Sequence, residues 1–538
     1  MVNVDDREHM HGRILTVWKQ SWPLVAILAG ALALRAALLA YDVVPFDADE
    51  AIVALMARHI LQGDRPLFFY GQHYMGSLDA YLISGVFAVA GESVLAVRFV
   101  QTVLFVATVL TSYAAVARFA DRRTAWIVAL MLAFPPVMLT LYTTVSLGGY
   151  GETLLAGSTL LWLGHRLGHE DADRWGLWLG WGLVLGLGFW VLGLVMVYAV
   201  PIAAWLLWRL RTRARRGYLV AALGCAVGSL PWWLGRGYLS LAEIWNAAFH
   251  GTAPTGGILA NVGARILNLV LLGIPALFGL RFSWDITGPP VWLAMPALVL
   301  YLGALLYGLR RRGEGVARSD RLILWATCGL LCLGFVLTSF GADPSGRYFL
   351  PLYLPLFAFT ADGLAMLSKR IGRWAWVLLA AVLVFNLAGT LQAARTYPPG
   401  ITAHFNPVAQ VDHRYDEELI RFLREHDGRR GYANYWVSYP IAFLSQEDIT
   451  LVPRLPYKTN LLYSAHDNRY APYDALVEAS PMVVYVTTDL PALNELLRQQ
   501  FEALGVGFRE EQIGSYHVFY DLSRRVSPDE LSIQTEGK

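Results

Sequence analysis

The chain has 538 residues, 56% of them hydrophobic and only 16% charged, with a mean hydropathy of +0.44 and a formal net charge of +2. A soluble globular protein of this length rarely combines these values, so the composition points to a polytopic membrane protein. The basic residues fall in short clusters between apolar runs, which excludes a nucleic-acid-binding stripe, and Cys225, Cys328 and Cys332 all lie inside apolar segments, which excludes a disulfide framework and a thiolate metal site.

The polar start, Met1 to Lys19, leads into a segment long enough to span, so no cleavable signal peptide is expected. A span needs roughly 20 apolar residues. On that rule about eleven are predicted, at 21–41, 94–117, 124–142, 152–165, 176–191, 192–208, 218–234, 289–309, 321–340, 348–367 and 374–394. Arginine and lysine mark cytoplasmic loops. Arg118 with Arg122 and Arg123, Arg166 with Arg174, Arg209 to Arg216, Arg310 to Arg321 and Lys369 to Arg373 share one side if the N-terminus is cytoplasmic. Val262 to Leu280 is apolar enough to cross, but a crossing there would put Arg310-Arg311-Arg312 outside, so a re-entrant or interfacial helix is expected.

The first loop after a span holds Phe46-Asp47-Ala48-Asp49-Glu50, three carboxylates in four residues at the start of a helix that ends at Gly63. Carboxylates so close repel one another and call for a metal, a cationic substrate group or a retained proton, unless the loop is simply solvated. A polar, glycine-containing segment, Tyr70-Gly71-Gln72-His73-Tyr74-Met75-Gly76-Ser77, follows and suits a loop shaping a pocket. A second short apolar run, Leu78 to Ala90, completes a half-immersed platform. After Leu391 charges and prolines appear. Asp416–His426 and Ala492–Leu504 read as helices, and Gly431–Leu444, Ile449–Val452, Met482–Thr487 and Ser515–Tyr520 as strands. The expected organisation is a transmembrane domain at 1–395 and a soluble extracytoplasmic α/β domain at 396–538, without a phosphate loop or nucleophile motif and so with a supporting or acceptor-binding role. The protein is placed in the plasma (inner) membrane, its N-terminus cytoplasmic.

This order of features resembles the GT-C superfamily of membrane glycosyltransferases, especially the branch of protein O-mannosyltransferases and lipid A aminoarabinose transferases. The resemblance rests on Asp49-Glu50, the helix ending in Gly63, the Tyr81 to Arg98 segment with Gly91, and Ser345-Gly346-Arg347-Tyr348-Phe349-Leu350-Pro351 before a late span. It covers the first 110 residues well, the other membrane segments by topology and the tail by position. It implies a polytopic helical fold of GT-C type and transfer of a sugar from a polyprenyl-phosphate donor to a lipid, glycan or protein acceptor outside the membrane. The Asp of the Asp-Glu pair, here Asp49, is the implied base; the additional Asp47 departs from the pattern and leaves open which aspartate faces the acceptor, with Glu50 beside them.

Such a transfer needs a base, cationic groups for the departing phosphate and a water-poor site. Direct displacement would invert the anomeric configuration. Arg347, where an outer loop re-enters the membrane, is the first choice for the phosphate because its planar donor fork fits phosphate oxygens; a snorkelling interfacial arginine is the plain alternative. His73, Gln72 and Tyr74 are secondary candidates for the phosphate or sugar. Glu152, in Gly149-Tyr150-Gly151-Glu152 at the start of a span, is assigned with Tyr150 to the substrate site. No required cofactor is expected; a divalent cation held by Glu152 and Asp47 is the alternative. Glu243 and His250 read as ordinary loop residues. The rival functions are a flippase for a lipid-linked sugar, a glycan polymerase or ligase, and a structural or sensory protein.

Overall fold

The computed structural model describes residues 4–235, 237–249, 258–310, 318–396 and 400–535, so His250, Arg311 and Arg312 lie outside the described residues. The chain opens with α1 (Val4–Ala40) and α2 (Ala48–Gln62), a β1–β2 hairpin (Phe68–Phe69, Gln72–Gly76) and α3 (Leu78–Ala90). A long α4 (Val94–Phe119) follows, then α5 (Arg122–Ala133) and α6 (Val137–Tyr142). The bundle continues through α7 (Tyr150–His169), α8 (Trp175–Val191), α9 (Met196–Leu210), α10 (Arg215–Gly228), α11 (Leu230–Leu234) and α12 (Gly237–Phe249). Its last members are α13 (Ile258–Asn268), α14 (Ile274–Leu277), α15 (Val291–Arg310), α16 (Arg318–Leu337), α17 (Tyr353–Ile371) and α18 (Trp374–Thr396).

Among the described residues seven helical runs are long and apolar enough to cross a membrane: 22–40, 94–119, 193–228, 260–277, 319–337, 347–371 and 374–395. One expectation changes. The segment 124–142 is not one helix, because Pro135-Pro136 breaks it into α5 and the six-residue α6. The segments 192–208 and 218–234 stay separate helices: Arg211, with φ of 46°, ends α9, and the Tyr218 hydroxyl reaches the Leu206 carbonyl at 3.2 Å, so the chain turns back on itself before α10. The stretch expected as a re-entrant or interfacial helix is continuously helical from α13 through a π-turn at Leu269–Gly273 to α14, with the length and apolarity the sequence indicated. The tightest helix pair is α8 against α10. A Cβ at Gly182 would come within 2.0 Å of the Ala221 carbonyl and one at Gly228 within 2.4 Å of Leu183's, so small residues let these backbones touch.

The tail forms α19 (Asp416–Glu425), β3 (Arg430–Ala433), α20 (Tyr435–Leu444), β4 (Thr450–Pro453), β5 (Leu462–Tyr463), α21 (Pro472–Glu478), β6 (Val484–Thr487), α22 (Pro491–Ala503), β7 (Arg509–Ile513), β8 (Tyr516–Tyr520) and β9 (Gln534–Thr535). Its sheet has the order β4-β3-β6-β8-β7, parallel among the first three and antiparallel beyond. The aromatic and β-branched run 431–444 is a strand only to Ala433. Asn434 then accepts a hydrogen bond from the Trp436 N–H and starts α20, whose side chains are buried on nearly every side, so tertiary packing overrides strand propensity.

The tail does not stand apart from the platform. Ala51, Ile52, Leu55 and Met56 of α2, Ile83 and Phe87 of α3, and Tyr435, Tyr439, Phe443 and Leu497 of the tail belong to one apolar core. Polar contacts seal the seam. Arg58 donates to the Phe443 carbonyl at 3.1 Å and to Glu92 at 2.7 Å, while His59 Nε2 meets Glu447 Oε1 at 3.0 Å.

Candidate active site

The three neighbouring carboxylates separate as α2 begins, because successive helical residues point about 100° apart. Asp47 is the N-cap: Oδ1 accepts from the Glu50 N–H at 3.1 Å, and Oδ2 lies 2.9 Å from His404 Nε2. Burial pushes the Asp47 carboxyl up, but the hydrogen bond and charge of His404 outweigh it and hold it below its ordinary value. Glu50 turns inward to Arg98, whose Nη2 reaches it at 2.9 Å and also donates to the Pro45 carbonyl. Burial raises Glu50 and Arg98 pulls it back, leaving it at about 7. Asp49 alone faces open space. Its Oδ1 accepts from the Tyr435 hydroxyl at 2.6 Å, and among the described residues its second oxygen takes no hydrogen bond. Burial and the Asp49 charge raise the Tyr435 phenol well above its usual range, so it stays a donor.

Asp49 lines a cleft of about 230 Å³, open to solvent, which it shares with Arg347. Tyr142, Leu147, Asp343 and Ser345 complete the bundle side, and His404, Phe405, Asn406, Trp436 and Tyr457 the tail side. Gly346, with φ of 84°, turns the chain into the 3-10 helix Arg347–Leu352 and so sets Arg347 at the cleft. Arg347 pairs with Asp343 at 2.7 Å, yet 40% of its side chain remains exposed. On the other side the strap after α18 is tied to the loop before α2: the Ile401 N–H donates to the Val43 carbonyl at 2.8 Å. Gly400 makes this approach possible, having φ of 120° and leaving only 2.4 Å between a built Cβ and that carbonyl. His404 packs against Trp436 with ring centroids 3.8 Å apart and the planes tilted by 46°, which fixes the imidazole against Asp47.

Of the sequence-predicted residues the structure thus brings Asp49 and Arg347 together, whereas Asp47 and Glu50 support the turn. Tyr74 is half-buried, close enough to Asp49 and Arg347 for both charges to act on its phenol, and the other four differ from expectation. His73 points away and bonds Glu243 through Nδ1 at 2.8 Å, so neither is isolated. With its amide turned to satisfy its neighbours, Gln72 accepts from Tyr74 and from both terminal nitrogens of Arg469, and it does not line the cleft. Tyr150 is buried, edge-on to Tyr142 at 5.2 Å, one layer behind the cleft. Glu152 is not beside Asp47. It is buried facing Asp79, which accepts from Gln101 at 2.9 Å and from Ser146, so the Glu152–Asp47 cation pair does not form. Burial pushes Asp79 to about 6 against those two donors.

Sequence reasoning missed Tyr435, His404 and Arg469, all from the tail. Arg469 sits over the Tyr435 ring at 5.5 Å; burial works against its charge, but Tyr435, Asp49 and Tyr74 around it hold the proton on. The polar sequence Thr402-Ala403-His404-Phe405-Asn406 directly after the last apolar segment was the available signal for the strap. Nothing local marks Tyr435 or Arg469.

Residues 77–234, less than a third of the chain, match the dolichyl-phosphate-mannose-protein mannosyltransferase family. No curated protein sequence matches the chain. Among solved structures, ArnT from Cupriavidus metallidurans bound to undecaprenyl phosphate aligns with a TM-score of 0.58 at 12% identity, covering 96% of this chain and 99% of that one. The same protein in the apo state gives 0.58 and 12% over 94% and 98%. The oligosaccharyltransferase of Archaeoglobus fulgidus in complex with Zn and sulfate gives 0.52 and 12% over 95% and 74%. At such identities the likeness is one of fold. The chain is an integral membrane protein with the GT-C fold, and its C-terminal region with sheet elements is covered by the same alignments.

Proposed function

We propose that the protein is a glycosyltransferase that moves a sugar from a polyprenyl-phosphate donor to a hydroxyl-bearing lipid, glycan or protein acceptor on the extracytoplasmic side of the plasma (inner) membrane, with the bundle at 1–395 as the transferase domain and 396–538 as the extracytoplasmic domain. The observation that carries this reading is the cleft shared by Asp49 and Arg347, one carboxylate oxygen and one partly exposed arginine side chain lining the same space. The acceptor oxygen attacks the anomeric carbon as the bond to the phosphate oxygen breaks. Its proton passes to the second oxygen of Asp49, and the phosphate leaves with the bonding electrons toward Arg347. One base and one displacement invert the configuration. Tyr435 holds the carboxylate in line, and Trp436, Phe405 and Tyr142 exclude water. Each of the three carboxylates has its own protein partner, so the phosphate charge falls to Arg347, while a divalent cation bound with the substrate remains compatible with the oxygens on view.

The test is incubation of the purified protein with a radiolabelled polyprenyl-phosphate sugar and membrane extract. Transfer with an inverted anomeric centre, reduced about 10²- to 10³-fold by Arg347→Ala, supports the reading. Retained configuration by product NMR refutes the single displacement, and transport of the lipid-linked sugar without transfer supports the flippase instead.

A further inference from the structure

The ends of α7 and α16 remote from the cleft carry a cluster that sugar transfer does not use. His165 and His169 stand one turn apart on α7, so both imidazoles project from one face, with ring centroids 4.6 Å apart. Asp320, in the first turn of α16, reaches both: Oδ1 lies 2.9 Å from His165 Nδ1 and Oδ2 3.7 Å from His169 Nε2. One ligand atom from each of the three residues falls within 4.8 Å of the others. His165 and Asp320 are buried, and His169 is exposed, which gives an ion a way in. Since α7 starts behind the cleft at Tyr150 and rises about 1.5 Å per residue, the cluster lies roughly 25 Å from the cleft.

We propose that His165, His169 and Asp320 bind a divalent transition metal of the zinc type, which staples α7 to α16 at the end of the bundle opposite the cleft. Two imidazole nitrogens and one carboxylate oxygen are a donor set for such an ion rather than for calcium or magnesium, which take oxygen. Metal–ligand bonds of about 2.0–2.2 Å in a tetrahedron put donors roughly 3.3–3.6 Å apart, and the two separations at Asp320 bracket that range. Two histidines at i and i+4 on one helix face are the spacing by which helices hold zinc. Trp205 packs against His169 at 5.2 Å and Phe119 against His165 at 6.2 Å, an apolar shell that restricts both rings.

The surroundings also define what loading requires. Glu170 Oε1, 3.9 Å from His165 Nε2, adds a second negative charge, shared with Arg118. Arg209 Nη2 lies 3.4 Å from His169 Nδ1, on the ring edge away from Asp320, and its Nε is held by the Gly168 carbonyl. Metal on Nε2 places the ring proton on Nδ1, so this Nη2 contact opens on binding. Ser319 Oγ, 3.3 Å from His169 Nε2, rotates aside or becomes the fourth ligand. The consequence for the fold is direct: α7 begins one layer behind the cleft, three residues after Leu147 of its lining, and α16 runs into the 339–347 segment that carries Asp343 and Arg347. A staple at the far ends sets the spacing of the helices that bear one cleft wall.

The experiment uses the full-length protein in detergent, stripped with chelator and titrated with Co²⁺ as a spectroscopic probe, then with Zn²⁺ in competition. One equivalent of Co²⁺ is expected to give the intense visible absorption of a four-coordinate site, Zn²⁺ to abolish it, and Zn²⁺ alone to raise the unfolding temperature. His169→Asn and Asp320→Asn each weaken Co²⁺ binding by more than about tenfold, whereas His73→Asn, at an exposed histidine elsewhere, leaves it intact. Should a variant fail to fold, the titration of the unaltered protein decides. Only the weak spectrum of hydrated cobalt at one equivalent, or a four-coordinate spectrum that survives in both ligand variants, overturns the proposal.

Discussion

The two sides of the cleft are built differently. On the bundle side Arg347 comes from a short local structure, a glycine turn into a 3-10 helix with its counter-charge Asp343 four residues earlier. On the opposite side Asp49 owes its setting to residues that are remote in sequence: Tyr435 orients it, His404 fixes its neighbour Asp47, and Arg98 takes Glu50 out of the way. The cleft's cation is thus a property of the bundle, whereas the proposed base is set by an assembly of α2 with the tail. Three adjacent acids acquire three roles because each meets a partner from a different part of the chain.

Each side can be disturbed separately. The largest effect is expected at Glu50→Gln. Above pH 7, where Glu50 is ionised, the substitution leaves Arg98 buried without its counter-charge, at a cost of about 3–5 kcal/mol, measured as a lower unfolding temperature in detergent. Tyr435→Phe is milder and more selective. It removes one hydrogen bond to a carboxylate, worth about 1.5–3 kcal/mol, so transfer should fall about ten- to a hundredfold while the unfolding temperature moves little. An unchanged rate would mean that the tail does not orient Asp49.

The smallest effect follows from pH. Asp47 and Glu447 both sit at the seam and both titrate below their ordinary values of 3.8 and 4.5; in Glu447 burial is outweighed by His59, Tyr473 and Arg58. A carboxyl whose folded pKa is depressed binds fewer protons in the native state, so its stabilising contribution is present above the unfolded pKa and is lost as pH falls through the folded one. Proteolytic cutting in the strap at 400–410 should therefore stay slow at neutral pH and accelerate below about pH 4. Cutting independent of pH would show that the apolar core alone holds the tail.

The bundle was largely legible in the sequence, because continuous apolar stretches and arginine clusters are properties of single segments. The exception is 124–142, where the Pro135-Pro136 break splits a stretch that composition alone reads as one span. The acidic turn and Arg347 were legible for the same local reason. Residues 435–444, rich in aromatic and branched side chains, misled because their helix is imposed by burial between the sheet and α2. His73, Gln72 and Glu152 looked available in a linear reading, yet Glu243, Arg469 and Asp79 meet them across long sequence separations. Tyr435 and Arg469 carry no local signature at all, and only the packing of the tail onto the platform assigns them a place.

In the proposed transfer Asp49, and not Asp47, accepts the acceptor's proton. The direct measurement is the turnover number for sugar transfer by Asp49→Asn and Asp47→Asn, prepared side by side. Asp49→Asn is predicted to lose about 10²- to 10⁴-fold with its unfolding temperature unchanged, while Asp47→Asn, which keeps an N-cap but loses the charge facing His404, should stay within about tenfold and unfold earlier. A folded Asp49→Asn enzyme that still turns over at the original rate, beside an inactive Asp47→Asn, would contradict it.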